Sequence, residues 1–118
     1  MYGIPADVDW KFIIGKELLQ LRIGRHHVSL RLAGDTAIGV ECDFEHTSHP
    51  AAAGASLGLA GRATTLISLL GSRVVEVTRD GERALVLSFS NGEQLRLIDS
   101  NEHFESFQVT ARGLTIIV

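Results

Sequence analysis

The chain has 118 residues, 45% of them hydrophobic and 21% charged, with a formal charge of −3 and a single cysteine. That suits one domain with one core, because two domains of half this size would each bury too little surface to be stable; one thiol, Cys42, closes no internal disulfide and points to a reducing compartment. Lys and Arg are scattered singly, which excludes the basic footprint of a nucleic-acid binder or an anionic-membrane binder; the opening MYGIPADVDWKFIIGK does not read as a signal peptide, and no stretch of about 18 apolar residues could span a bilayer.

In chain order, Trp10, Phe12, Ile13 and Ile14 come first as an apolar cluster. Single aromatic residues in small domains are mostly buried, so the cluster is expected to close one end of a sheet as core rather than to anchor a partner. Leu18 to Ile23, His27 to Leu32 and Ala37 to Cys42 then read as strands, joined near Gly24-Arg25 and Gly34-Asp35. Alternation turns Val28, Leu30, Leu32, Ile38, Val40 and Cys42 inward, and places Arg31 and Glu41 outward as a cross-strand pair. After a loop rich in Ala, Gly and Ser, the apolar spacing becomes helical from Leu59. Leu59, Ala63, Leu66, Ile67 and Leu70 share a stripe, and Gly71 suits the left-handed residue that ends a helix.

The second half carries the strongest local signals. Val74 to Thr78, Arg83 to Phe89 and Gln94 to Ile98 are strand-like runs around Asp80-Gly81 and Asn91-Gly92, dipeptides that accept the positive φ of two-residue type I′ turns. Leu85, Leu87, Phe89, Leu95 and Leu97 fall on one face, with Ser88, Gln94 and Arg96 opposite. Phe104 to Thr110 and Leu114 to Val118 close the chain as a hairpin around Arg112-Gly113. The last run, LTIIV, is apolar on both faces, which predicts a central strand or one buried in an oligomer.

Overlaid, the halves match. Gly15, Leu18 and Leu21 fall on Gly71, Val74 and Val77; after a one-residue slip, Leu30, Leu32, Ile38 and Val40 fall on Leu87, Phe89, Leu95 and Leu97, and Glu45-His46 falls on Glu102-His103. The pattern predicts an internal duplication with pseudo-repeats at about 15–46 and 71–103 in a single domain, 1–118. The fold class expected is mainly β, a β-rich α+β domain. Two antiparallel three-stranded meanders pack as a sandwich or partly open barrel, with one short crossover helix and a C-terminal hairpin.

The Leu-Leu-Gly before a strand, Leu-x-Phe-Ser-Asn-Gly, Leu-Arg-Leu and His103-Phe104-Glu105-Ser106-Phe107 before a final Gly-containing hairpin resemble a family of small uncharacterised bacterial β-rich proteins, a domain of unknown function. The openings Tyr2-Gly3-Ile4-Pro5 and Phe12-Ile13-Ile14-Gly15-Lys16 are similar to it too. The resemblance implies a β scaffold in a bacterial cytoplasm and brings no activity with it.

Residues that could carry chemistry are few. Cys42, Glu45, His46 and His49 lie close together, but their spacing fits no standard zinc pattern, so no metal and no cofactor is expected. His26 and His27 point to opposite faces of a strand, one exposed and one partly packed. The sharper candidate is the repeated Glu-His, in which Glu45, His46, Glu102 and His103 could offer two carboxylate–imidazole pairs to one ligand if a pseudo-twofold brought them together. Motifs for dinucleotide, phosphate or nucleophile-elbow chemistry are absent from the sequence. The leading expectation is therefore a non-enzymatic protein-interaction or self-association module, a homo-oligomer or the partner of another bacterial protein; the alternative is a small-ligand or metal-binding protein or an enzyme with a pocket at the Glu-His loops.

Overall fold

The computed structural model describes residues 9–41, 44–46, 63–81, 83–99, 107–111 and 114–118. Two 3-10 segments, η1 (Trp10–Ile13) and η2 (Thr64–Leu69), accompany strands β1 (Leu18–Ile23), β2 (Val28–Leu32), β3 (Thr36–Val40), β4 (Phe44–His46), β5 (Val74–Asp80), β6 (Ala84–Phe89), β7 (Gln94–Ile98), β8 (Phe107–Ala111) and β9 (Leu114–Ile117). The protein is mainly β, with two antiparallel sheets ordered β1-β2-β3-β8-β9 and β4-β7-β6-β5. Among the described residues no helix is long and apolar enough to cross a membrane.

Alternation sets the strands as expected. Val28, Leu30, Leu32, Ile38 and Val40 from one sheet and Leu85, Leu87, Phe89, Leu95 and Leu97 from the other are buried in one apolar cluster, joined by Trp10, Ile13 and Val118. Cys42 lies outside the described residues. The expected Arg31–Glu41 pair does not form, because the register sets Arg31 opposite Ala37. The ion pair on the outer face is instead Arg96–Asp80. Asn91-Gly92 does turn the chain, but as part of a three-residue loop, 90–92, closed by the Phe89 N–Glu93 O hydrogen bond, with Gly92 left-handed at φ 89° and its N–H donated to Phe89 O at 3.0 Å. That is the longer hairpin solution, in which a glycine bulge follows the turn.

The crossover helix is tighter than its sequence suggests. η2 has three residues per turn, so Ala63, Leu66 and Leu69 line up inward and are buried, while Ile67 and Leu70 face out. An α-helical stripe would have buried Ile67 and Leu70. The start of that stripe, Leu59, lies outside the described residues. Of the two places expected for LTIIV, the central one is overturned, since among the described residues β9 is the outermost strand of its sheet, with Val118 buried and Ile117 exposed.

The two halves repeat each other bond for bond. Gly15 N donates to Val74 O at 2.7 Å and Gly71 N to Leu18 O at 2.9 Å; Leu18 N donates to Ser72 O at 2.9 Å and Val74 N to Lys16 O at 3.0 Å. Exchanging 15 with 71, 16 with 72 and 18 with 74 turns each bond into its partner, so a pseudo-twofold passes between Glu17 and Arg73, the bridge at the centre of this ladder. The glycines are left-handed at φ 89° and 86°, and each strand has its register shift at the same place, Leu18/Gln20 and Val74/Glu76. Packing follows the same symmetry crosswise, with η1 against β5 and η2 against β1.

The halves also trade strands. β4, from the first half, extends the second half's sheet beside β7, and β8, from the second, extends the first half's sheet beside β3. Phe44 stands opposite Leu97 and Phe107 opposite Val40, and Val40 and Leu97 are themselves counterparts. Phe44 and Phe107 are therefore the matched residues, both buried. The two are reached by different lengths of chain, four residues after Val40 and ten after Leu97. The positions equivalent to Glu45 and His46 are thus Gln108 and Val109. The Glu-His overlay placed Glu102 and His103 there, having missed the longer connection.

Candidate functional site

Of the four residues singled out by the Glu-His repeat, Glu102 and His103 lie outside the described residues, as does His49. Glu45 is exposed on β4 and His46 is buried beside it, their side chains on opposite faces as strand geometry requires. The His46 side chain is only 2% exposed and meets residues far from it in sequence. Its Nδ1 lies 3.1 Å from Thr65 Oγ1 on η2, and its Nε2 is hydrogen bonded to the carboxylate of Glu93 in the β6–β7 turn. A carboxylate only accepts, so Nε2 carries a proton.

Glu93 is the hub of this cluster. Its carboxylate also accepts from Ser68 Oγ at 2.8 Å and from Asn91 Nδ2 at 2.8 Å, while its backbone N–H donates to Asn91 Oδ1 at 2.9 Å. Asn91 Nδ2 reaches Ser68 O at 3.2 Å, and Ser68 Oγ reaches Thr65 O at 3.0 Å. The network ties β4, η2 and the β6–β7 turn together. With Thr65 and Glu93 at its two nitrogens, the imidazole would have to give up one of them to bind a metal or a substrate. Among the described residues no group of three His, Cys, Asp or Glu side chains is placed to hold a metal ion.

The other histidines are as the strand pattern suggested. His26 is exposed and His27 is half-buried. His27 lies over the backbone of Gly39, where an added Cβ would stand 2.9 Å from its Nε2, so the ring occupies the space a side chain would take.

A second feature appears at the pseudo-twofold. Leu19 and Val75 are both 54% exposed, and Ile14 and Leu70 are 40% and 42% exposed. Leu19 and Val75 are counterparts, as are Ile14 and Leu70, so the four form two symmetry-related pairs around Glu17 and Arg73. The antiparallel ladder sets Leu19 opposite Gly71, which follows Leu70 in the chain, and Val75 opposite Gly15, which follows Ile14. Ile67, 58% exposed, extends the apolar face on the η2 side, where Lys11 is its counterpart.

The sequence points to His46 but not to the residues around it, nor to the axial face. Glu93 was hidden because its partner is 47 residues away. The axial face had a usable signal, since outward aliphatic residues recur at matched positions of both repeats.

A family model, described as a family of unknown function (DUF6188), matches residues 11–118. The chain belongs to that family. The match takes in η1 from Lys11 on, both sheets and the terminal hairpin, so both the polar cluster and the axial face lie within the DUF6188 region. No curated protein and no solved structure matches the chain.

Proposed function

We propose that the protein is a non-enzymatic interaction module that works by self-association, using the axial face around Glu17 and Arg73. The observation that carries this reading is the placement of four of the exposed large aliphatic side chains, Ile14, Leu19, Leu70 and Val75, as two symmetric pairs about one axis. Aliphatic side chains scattered singly over a surface need no explanation, whereas these recur at matched positions on either side of one axis. The buried side chain of His46 and its two hydrogen-bond partners favour a structural role for the polar cluster over a reacting centre. The setting we infer is a bacterial cytoplasm, from the single cysteine and the family resemblance.

Size-exclusion chromatography with light scattering tests the reading. The wild-type protein is expected as a dimer that dissociates on dilution, and Leu19→Lys with Val75→Lys as a folded monomer. Ile117→Lys, on the edge strand β9, should leave the assembly intact. A wild-type monomer up to the solubility limit overturns the reading.

A further inference from the structure

We propose that the occupant of the axial face is a second copy of this chain, docked about a twofold parallel to the strands of the Glu17–Arg73 ladder, so that each copy's Glu17 lies against the partner's Arg73. The inference rests on the self-association reading and adds its register, stoichiometry and electrostatics. It starts from the charges at the axis. Glu17 and Arg73 are directly opposite across two narrowly spaced strands, flanked by the Leu18 N–Ser72 O and Val74 N–Lys16 O hydrogen bonds. Such a pair has its Cα atoms about 4.5 Å apart. Yet neither side chain forms an ion pair within the described residues, whereas the Arg96 guanidinium is paired with Asp80. One negative and one positive group stand side by side on an outward face, available to a complementary pair.

Face-to-face docking of two copies has two symmetric solutions. A twofold along the line joining Glu17 to Arg73 stacks carboxylate on carboxylate and guanidinium on guanidinium, which is repulsive twice over. A twofold parallel to the strands stacks opposite charges, again twice, because an isologous contact is made in duplicate. The same operation sets each copy's Leu19 over the partner's Gly71 and each Val75 over the partner's Gly15. Those glycines are exposed, and a Cβ built at either would meet nothing within 4 Å, so both positions are open on the outer surface. The contact closes on itself and assembly stops at two copies.

Charge exchange tests the register separately from the association. Glu17→Arg alone and Arg73→Glu alone should each weaken the dimer on the order of tenfold or more, since two attractive contacts become two repulsive ones. The double variant Glu17→Arg/Arg73→Glu preserves the neighbour pairing inside the chain and should dimerise like wild type. A mixture of the two single variants should form a heterodimer, seen by native mass spectrometry, that exceeds either homodimer. Single variants as dimeric as wild type, or a mixture that fails to pair, overturn the register while leaving self-association standing, provided Leu19→Lys with Val75→Lys still dissociates the protein. A wild-type monomer overturns both.

Discussion

The two ends of the pseudo-symmetric fold solve the same packing problem with different chemistry. At one end, Glu93 in the β6–β7 turn, and Thr65 and Ser68 on η2, form a hydrogen-bonded cluster around the buried His46 of β4. At the counterpart positions stand Val109, Thr36, Asp9 and Phe12. There, Val109 is buried, Lys16 is hydrogen bonded to Thr36 and lies 5.8 Å from the centre of the Phe12 ring, and Phe12 stacks on Trp10 at 6.3 Å. Trp10 Nε1 is buried there with no hydrogen-bond partner among the described residues, which costs about 1–3 kcal/mol. The backbone is therefore compatible with an aliphatic residue where His46 stands. The polar cluster belongs to this half of the sequence, not to the architecture, and its specific effect is to clamp η2, which presents Ile67 just before the axial Leu70.

The largest effect that would break the comparison comes from the exchanged strands. Phe44→Ala and Phe107→Ala should each cost about 4 kcal/mol in urea unfolding, and by similar amounts, because both rings fill counterpart positions in the core. A difference of most of that energy would mean that β4 and β8 are not equivalent. Next, Glu93→Ala should cost about 3 kcal/mol by leaving a buried imidazole without its carboxylate. The pair His46→Val with Glu93→Thr copies the other half and should cost less than Glu93→Ala alone. If the double change is the worse one, the cluster is required by the fold after all. The smallest effect concerns the left-handed glycines. Gly15→Ala and Gly71→Ala should each cost about 1 kcal/mol, equally and without any clash, since both φ values are positive and both Cβ positions are open.

What could be read from the sequence follows the range of the interaction. Strand faces are local, and the alternation of Val28, Leu30 and Leu32, or of Leu85, Leu87 and Phe89, gave the buried set directly. The overlay of Gly15 and Leu18 on Gly71 and Val74 likewise reported matched backbone geometry. It failed beyond Leu97, where ten residues instead of four lead to the exchanged phenylalanine, and a chance Glu-His dipeptide filled the place. η2 was misread for a different reason. Five apolar residues fit a 3.6-residue period on paper, but the tighter 3-10 winding buries every third residue and turns Ile67 and Leu70 outward. Of the candidate site, His46 was found and its burial was not, because Glu93 and Thr65 reach it only through the folded sheet.

The exchange of β4 and β8 also governs how the chain folds. Neither half completes its sheet alone, because the strand that extends each meander, β8 beside β3 and β4 beside β7, comes from the other half. The pairing of β3 with β8 must close most of the chain into a loop before any of its hydrogen bonds form, which costs entropy early and makes folding slow compared with a local meander. The topology is that of two small proteins that swapped strands and were then joined end to end. A chain cut between His46 and Ala63 should accordingly yield two fragments, each unstructured by itself, that fold only on meeting.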